Sequence, residues 1–222
     1  MDKNMLRSCI LFQGLIDSDL KDALFFFHAQ QIAYKKGEFL NQYLHPLPRF
    51  GLVLTGRIQV HMDEIDGYPV IMASVGPGET FGESLCFLQQ NTPLYIRAET
   101  DAEVLWLSPE EIWQSDAPAS VLGRELIRRF IAMLATRTLS MNDRIQILSR
   151  KRLRSKLIVF FSQYAQRSGP SFLIPFDRNS MAIYLGTERS ALSRELSKMQ
   201  EEGILRFNKN HFEILMQMNP DD

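Results

Sequence analysis

The chain has 222 residues, 45% of them hydrophobic, and a formal net charge of −1, so it is long enough for two domains of ordinary size. Its two cysteines, Cys9 and Cys86, are too few for a disulfide framework or a four-cysteine iron–sulfur cluster. There is no apolar run long enough to span a membrane, and Gln13, Asp17 and Asp19 interrupt the early apolar residues, which argues against a signal peptide. The expectation is a protein of a reducing, cytoplasmic compartment with no membrane partner.

Residues 1–28 read as short helices, with Leu15, Ile16, Leu20, Leu24 and Phe25 at helical spacing and Asp17 or Ser18 as a cap. From Gln31 the period changes. Short β-rich runs follow at Gln31–Tyr34, Gly51–Leu54, Arg57–Met62, Tyr68–Val75, Leu94–Glu99 and Glu103–Leu107. Gly37, Gly56, Gly67, Gly76, Gly78 and Gly82 lie between or near them, the pattern of an antiparallel sandwich or roll. No helix long enough for a crossover interrupts the runs, so a parallel sheet is not expected.

Pro109 starts another helical region and Pro118 breaks it. A long helix is then predicted over Ala119–Ser149. In it Ile127, Leu134, Met141 and Leu148 recur every seven residues, and Ile131, Thr138 and Ile145 interleave four residues later. Alternating steps of four and three form a coiled-coil seam and predict a homodimer through these seven residues. Arg128, Arg137, Asp143 and Arg144 form its polar flank. A long helix packed only on its own β domain would share much of this pattern.

A basic link, Ser149–Arg154, leads into an amphipathic helix over Leu153–Ala165, with Leu157, Ile158, Phe160 and Phe161 apolar and Gly169–Pro170 ending it. Asp177–Leu205 then reads as two helices joined by a tight turn. Asp177, Asn179 and Ser180 are N-cap residues for the first, about Ser180–Leu185, and Gly186 suits its C-cap. Thr187 is expected to cap the second, which Gly203 closes. At 100° per residue, Arg189, Ser190, Ser193, Arg194 and Ser197 share an arc of about 140°, with Leu192, Leu196 and Met199 outside it. The following segment reads as a hairpin with Asn208–Lys209–Asn210 at its tip, a plausible wing.

An Arg/Ser face over an apolar back suits the major groove of double-stranded DNA. An ordinary surface helix with a solvated face would share the spacing. Charge supports DNA: from Ser149 onward lie 12 of the 25 Lys and Arg and 8 of the 26 Asp and Glu, a balance of +4, and the remaining 13 basic and 18 acidic residues give −5. The DNA-binding set is Arg178, Thr187, Arg189, Ser190, Ser193, Arg194, Lys198 and Lys209. Arg189 and Arg194 are assigned to base edges, Ser190 and Ser193 beside them, and Arg178, Lys198 and Lys209 to phosphates.

The order of β roll, long helix, basic hinge and winged helix-turn-helix resembles the Crp/Fnr family of bacterial transcription regulators over essentially the whole chain. Two stretches carry the resemblance. Gly78–Glu83, GETFGE, is similar to the family's Gly-Asp/Glu-x-x-Gly-Glu stretch, and Gly186–Leu196, GTERSALSREL, is similar to the start of its recognition helix, with Ser193–Arg194 at the common Ser-Arg pair. The resemblance implies an α+β fold: β roll over residues 1–118, dimerisation helix over 119–149, winged helix-turn-helix over 150–222. It implies an effector-responsive homodimer acting on a palindromic operator, with RNA polymerase as a partner if it activates, and no enzyme activity. The effector pocket it implies comprises Phe81, Gly82, Glu83, Ser84, Cys86 and Met141.

The departures are informative. Ser190 stands where many members place a Glu that accepts from cytosine. Asn91–Thr92–Pro93–Leu94 holds no Arg where cyclic-nucleotide binders have Arg-Ser/Thr-Ala, and Met141 replaces a Thr that touches the base. A buried phosphate without a cation is strongly disfavoured, so cyclic nucleotides are not expected and the effector is left unnamed. Arg97 lies too far along to substitute. Haem would need an axial His, Cys or Met; His28, His45, His61 and His211 lack paired metal spacing, and Cys86 is a candidate redox or metal ligand. A cyclic-nucleotide-responsive regulatory subunit and an effector-independent DNA-binding protein remain as alternatives.

Overall fold

The computed structural model describes residues 2–63, 69–89, 94–113, 120–174 and 177–216. The chain divides into two compact units, Met1–Ala135 and Thr136–Asp222.

The first unit opens with α1 (Lys3–Ser8) and α2 (Asp17–Phe26). Ile16, not Asp17 or Ser18, is the N-cap of α2, and it makes no side-chain capping bond. The Asp17 carboxylate is committed instead to Lys3 at 2.5 Å and Arg7 at 2.6 Å, and these two cations hold its pKa below the usual carboxylate range.

Two four-stranded antiparallel sheets follow. One has the order β1 (Gln30–Tyr34), β8 (Ala102–Leu107), β3 (Phe50–Thr55), β6 (Thr80–Phe81). The other runs β2 (Phe39–Asn41), β7 (Leu94–Ala98), β4 (Ile58–Asp63), β5 (Pro69–Val75). A short helix, α3 (Glu83–Leu88), follows β6. The period of two sorts β3 and β8 between two cores. Val53, Val104 and Trp106 join Ile58, Val75, Phe81 and Ile96 inside the roll. Phe50, Leu52, Leu54, Leu105 and Leu107 face a second core with Leu6, Phe12, Leu20 and Phe27. Leu126, Phe130 and Met133 close that core. They belong to α5 (Val121–Leu148), which follows the short α4 (Glu110–Trp113), and the division between the units falls within α5.

The second unit holds the end of α5, then α6 (Leu153–Ser168), β9 (Ser171–Leu173), α7 (Arg178–Leu185), α8 (Arg189–Glu201), β10 (Leu205–Asn208) and β11 (His211–Ile214). Its core gathers Ile147, Leu157, Phe160, Phe161, Met181, Leu185, Leu192, Leu196, Met199 and Phe212. Strands β10, β11 and β9 form a three-stranded antiparallel sheet.

Candidate nucleic-acid interface and ligand cleft

Helix α7 begins where Asp177 accepts from Ser180 N at 2.7 Å, a bond that lowers the carboxyl pKa. It ends at Gly186, whose φ of +60° is the left-handed conformation that glycine adopts freely. Thr187 N–H donates to Ala182 O at 3.0 Å, so Thr187 helps to close α7. The N-cap of α8 is therefore one residue later, at Glu188, and makes no side-chain bond.

On α8, Leu192, Leu196 and Met199 are completely buried, each worth roughly 1.5–3 kcal/mol relative to exposure. Anchoring that stripe turns the opposite face outward, and Arg189, Ser190, Ser193, Arg194, Ser197 and Lys198 are all exposed. Two carboxylates are drawn to another side, where Arg154 of α6 donates to Glu195 at 3.1 Å and also pairs with Glu202. Glu201 at the end of α8 stays exposed, against three cations on the same helix. Among the described residues Arg189, Arg194, Lys198 and Lys209 form no salt bridge, so the exposed face is left cationic.

The wing turns through Lys209, with φ of +53°, and Asn210. Lys209 is exposed, while Arg178 is half-buried. Its guanidinium lies 4.9 Å from the Phe207 ring centre and 5.1 Å from that of Phe212, and donates to Lys209 O at 3.1 Å. Desolvation lowers its pKa. Arg178 thus ties α7 to the wing tip. The ends of α7 and α8 and the wing border a cleft of about 640 Å³ lined by Arg178, Arg189, Lys209 and His211, among others.

In the first unit, Phe81 is buried edge-on against Trp106 at 5.4 Å. Gly82 has φ of +80°, and a Cβ there would come within 2.3 Å of Leu47 Cδ2. Glu83 is only 3% exposed and accepts from the Thr80 hydroxyl. Ser84 is exposed. Cys86 is fully buried, and burial and the Glu83 charge push its thiol up to about 12. Cys9 is pushed up to about 11 by burial. Of the expected pocket residues only Cys86 lines the large cleft of this unit. Its volume is about 900 Å³, and its walls include Tyr34, Leu47, Arg49, Trp106 and Trp113.

The histidines are engaged separately. His28 Nε2 lies 3.3 Å from Glu111, and His45 Nδ1 lies 3.1 Å from Tyr43 O. His61 stacks on Tyr95 at 4.9 Å, and His211 meets Ser171 Oγ at 3.1 Å. Among the described residues no cluster could hold a metal ion. No helix there is long and apolar enough to cross a membrane.

On α5, Ile127 and Leu134 are half-buried, and Leu134 packs on the first unit's core. Farther along the seam Ile131, Met141 and Ile145 are 59%, 60% and 61% exposed, and Thr138 and Leu148 are exposed as well.

Residues 31–115 match the family described as "Cyclic nucleotide-binding domain", and residues 151–217 match "Crp-like helix-turn-helix domain". The chain is 27% identical over 215 residues to the "Cyclic AMP receptor protein" of Thermus thermophilus, covering 94% of both chains. The crystal structure of the Thermus thermophilus Catabolite Activator Protein is 26% identical, with a TM-score of 0.50 and 94% of both chains covered. A putative cAMP-binding regulatory protein from Silicibacter pomeroyi shares the fold at 20% identity and a TM-score of 0.55, covering 97% of this chain and 94% of its own. The two matched domains, in this order, are those of Crp/Fnr transcription regulators. The chain is a Crp/Fnr-type transcription regulator with a cyclic-nucleotide-binding-type domain and a helix-turn-helix domain.

Within this Crp/Fnr chain the stretch expected to lack a phosphate arginine, at Asn91–Pro93, lies outside the described residues, as do Pro118 and Ala119. Met141 belongs to the second unit and Phe81–Cys86 to the first. Two structural features were not legible in the sequence: the wing anchorage of Arg178 and the assembly of the large cleft. The signals were faint ones, an Arg opening α7 and a chain whose two tryptophans both fall in or after the last strand of the roll.

Proposed function

We propose that this regulator works as a cytoplasmic homodimer on a roughly palindromic operator, and that its first unit senses a small effector. One observation carries the DNA-binding part: α8 buries its whole apolar stripe and exposes Arg189, Ser190, Ser193 and Arg194 beside an exposed wing lysine. In this reading Arg189 and Arg194 meet base edges, Ser190 and Ser193 adjoin them, Thr187 lies at the turn, and Lys198 and Lys209 hold phosphates. Arg178 contributes by holding the wing in place. The exposed seam of Ile131, Thr138, Met141, Ile145 and Leu148, continuing Ile127 and Leu134, supplies the dimer contact. RNA polymerase is a partner if the protein activates. The role is binding, not catalysis.

Salt dependence tests this reading. Affinity for random-sequence duplex is expected to fall steeply with salt, and Lys209→Ala to flatten the log–log slope by about one unit. A duplex affinity indifferent to salt would contradict it.

The Thermus relative is named for cyclic AMP, but Thr92–Pro93 offers no cation and Met141 no hydroxyl in the corresponding places. Titration calorimetry is expected to show no saturable heat with cyclic AMP or cyclic GMP at micromolar concentrations. Saturable binding there would overturn this part of the proposal.

A further inference from the structure

We propose that the large cleft of the first unit binds a monoanionic aromatic carboxylic acid. The inference deepens the reading that this unit senses a small molecule, and it concerns a place other than the Gly82–Glu83 turn, neither residue of which lines the cleft.

Size comes first. A volume of about 900 Å³ is ample for a small organic ligand, within the range usual for ligand sites. Tyr34, Trp106 and Trp113 bring aromatic surface to the walls, and Leu47 brings apolar surface between two prolines. A flat apolar body fits such walls.

The polar groups then select the charge. Trp106 Nε1 donates to the Tyr34 hydroxyl at 2.9 Å, which leaves the Tyr34 proton for another acceptor. The indole Nε1 of Trp113 is buried and has no hydrogen-bond partner among the described residues. Arg49 gives one Nη1 hydrogen to Gln30 Oε1 at 2.5 Å and forms no salt bridge among the described residues, so most of its donors are uncommitted. Arg49 is thus the cleft's uncommitted cation, and the ligand group that complements it is an anion that accepts hydrogen bonds. A guanidinium and a carboxylate match fork to fork.

The other charged groups set a limit. His28 lines the cleft but is paired with Glu111, and Glu110 lines it as an exposed carboxylate. One uncommitted cation near one carboxylate favours a monoanion over a dianion or a phosphate. His28 at φ +44° and Gln89 at φ +51°, both on the cleft wall, are the left-handed residues that close α2 and α3.

The chain has two tryptophans and both line the cleft, so intrinsic fluorescence reports on it without a label. The probes are hydrocinnamate and its neutral amide, titrated into the full chain with excitation where neither absorbs, and checked by calorimetry. Hydrocinnamate is expected to change the emission saturably and to bind at least about tenfold more tightly than the amide. Arg49→Gln is expected to weaken the acid about ten- to a hundredfold and to leave the amide unchanged. No saturable signal with the acid up to about 1 mM would overturn the proposal, as would equal binding of acid and amide by the native chain. The second comparison needs no variant, so it stands even if Arg49→Gln misfolds. Duplex binding by the same preparation separates the two readings. Intact DNA affinity without acid binding sinks this inference alone. Acid binding without DNA affinity sinks the proposed function and leaves the cleft assignment standing.

Discussion

Replacing Met141 and Ile145 together with aspartate is expected to convert the proposed dimer to monomers, read by light scattering on the full chain. Both side chains are about three-fifths exposed in the isolated chain, so the substitutions burden no core of their own protomer. In a coiled-coil seam each carboxylate would face apolar neighbours without a partner, at a cost of about 3–5 kcal/mol apiece, enough to dissociate an ordinary dimer. Circular dichroism is expected to stay native. Leu134 is the poorer probe, because it also packs on the first unit's core and an aspartate there would damage the fold. An unchanged dimer would remove α5 from the interface.

The second large effect concerns base recognition. Arg194→Ala is expected to cost about 1–3 kcal/mol at the cognate site and to relax preference at one base pair in each half-site, with little change in affinity for random sequence. Arg194 is exposed and forms no salt bridge among the described residues, so its loss leaves no buried charge behind and the fold is unaffected. Competition binding with cognate and random duplexes makes the check. An equal loss on both would make Arg194 a phosphate contact.

What the sequence disclosed follows from locality. The face of α8 was readable because one helix's own periodicity decides which side is buried, and Leu192, Leu196 and Met199 duly form the buried stripe. The six longer strands were readable because alternation and turn glycines are local signals. Strands of two or three residues, β2, β6 and β9, carry too little pattern to be seen. Other features depend on distant partners. Ile16 precedes α2 because Asp17 answers to Lys3 and Arg7, and α8 begins after Glu188 because Thr187 is used to close α7. Arg178 looks like a free cation beside its neighbours, yet Phe207, Lys209 and Phe212 occupy it from some thirty residues away. The large cleft draws residues from His28 to Trp113, and no spacing rule gathers those.

In the proposed complex two copies of α8 read DNA together. Selection of binding sites from a pool of random duplexes, using the full chain, tests it most directly. An inverted repeat is expected to be enriched, with half-site centres about 34 Å apart, one turn of the DNA helix. Enrichment of a single half-site or of direct repeats, or no enrichment over the starting pool, would contradict it.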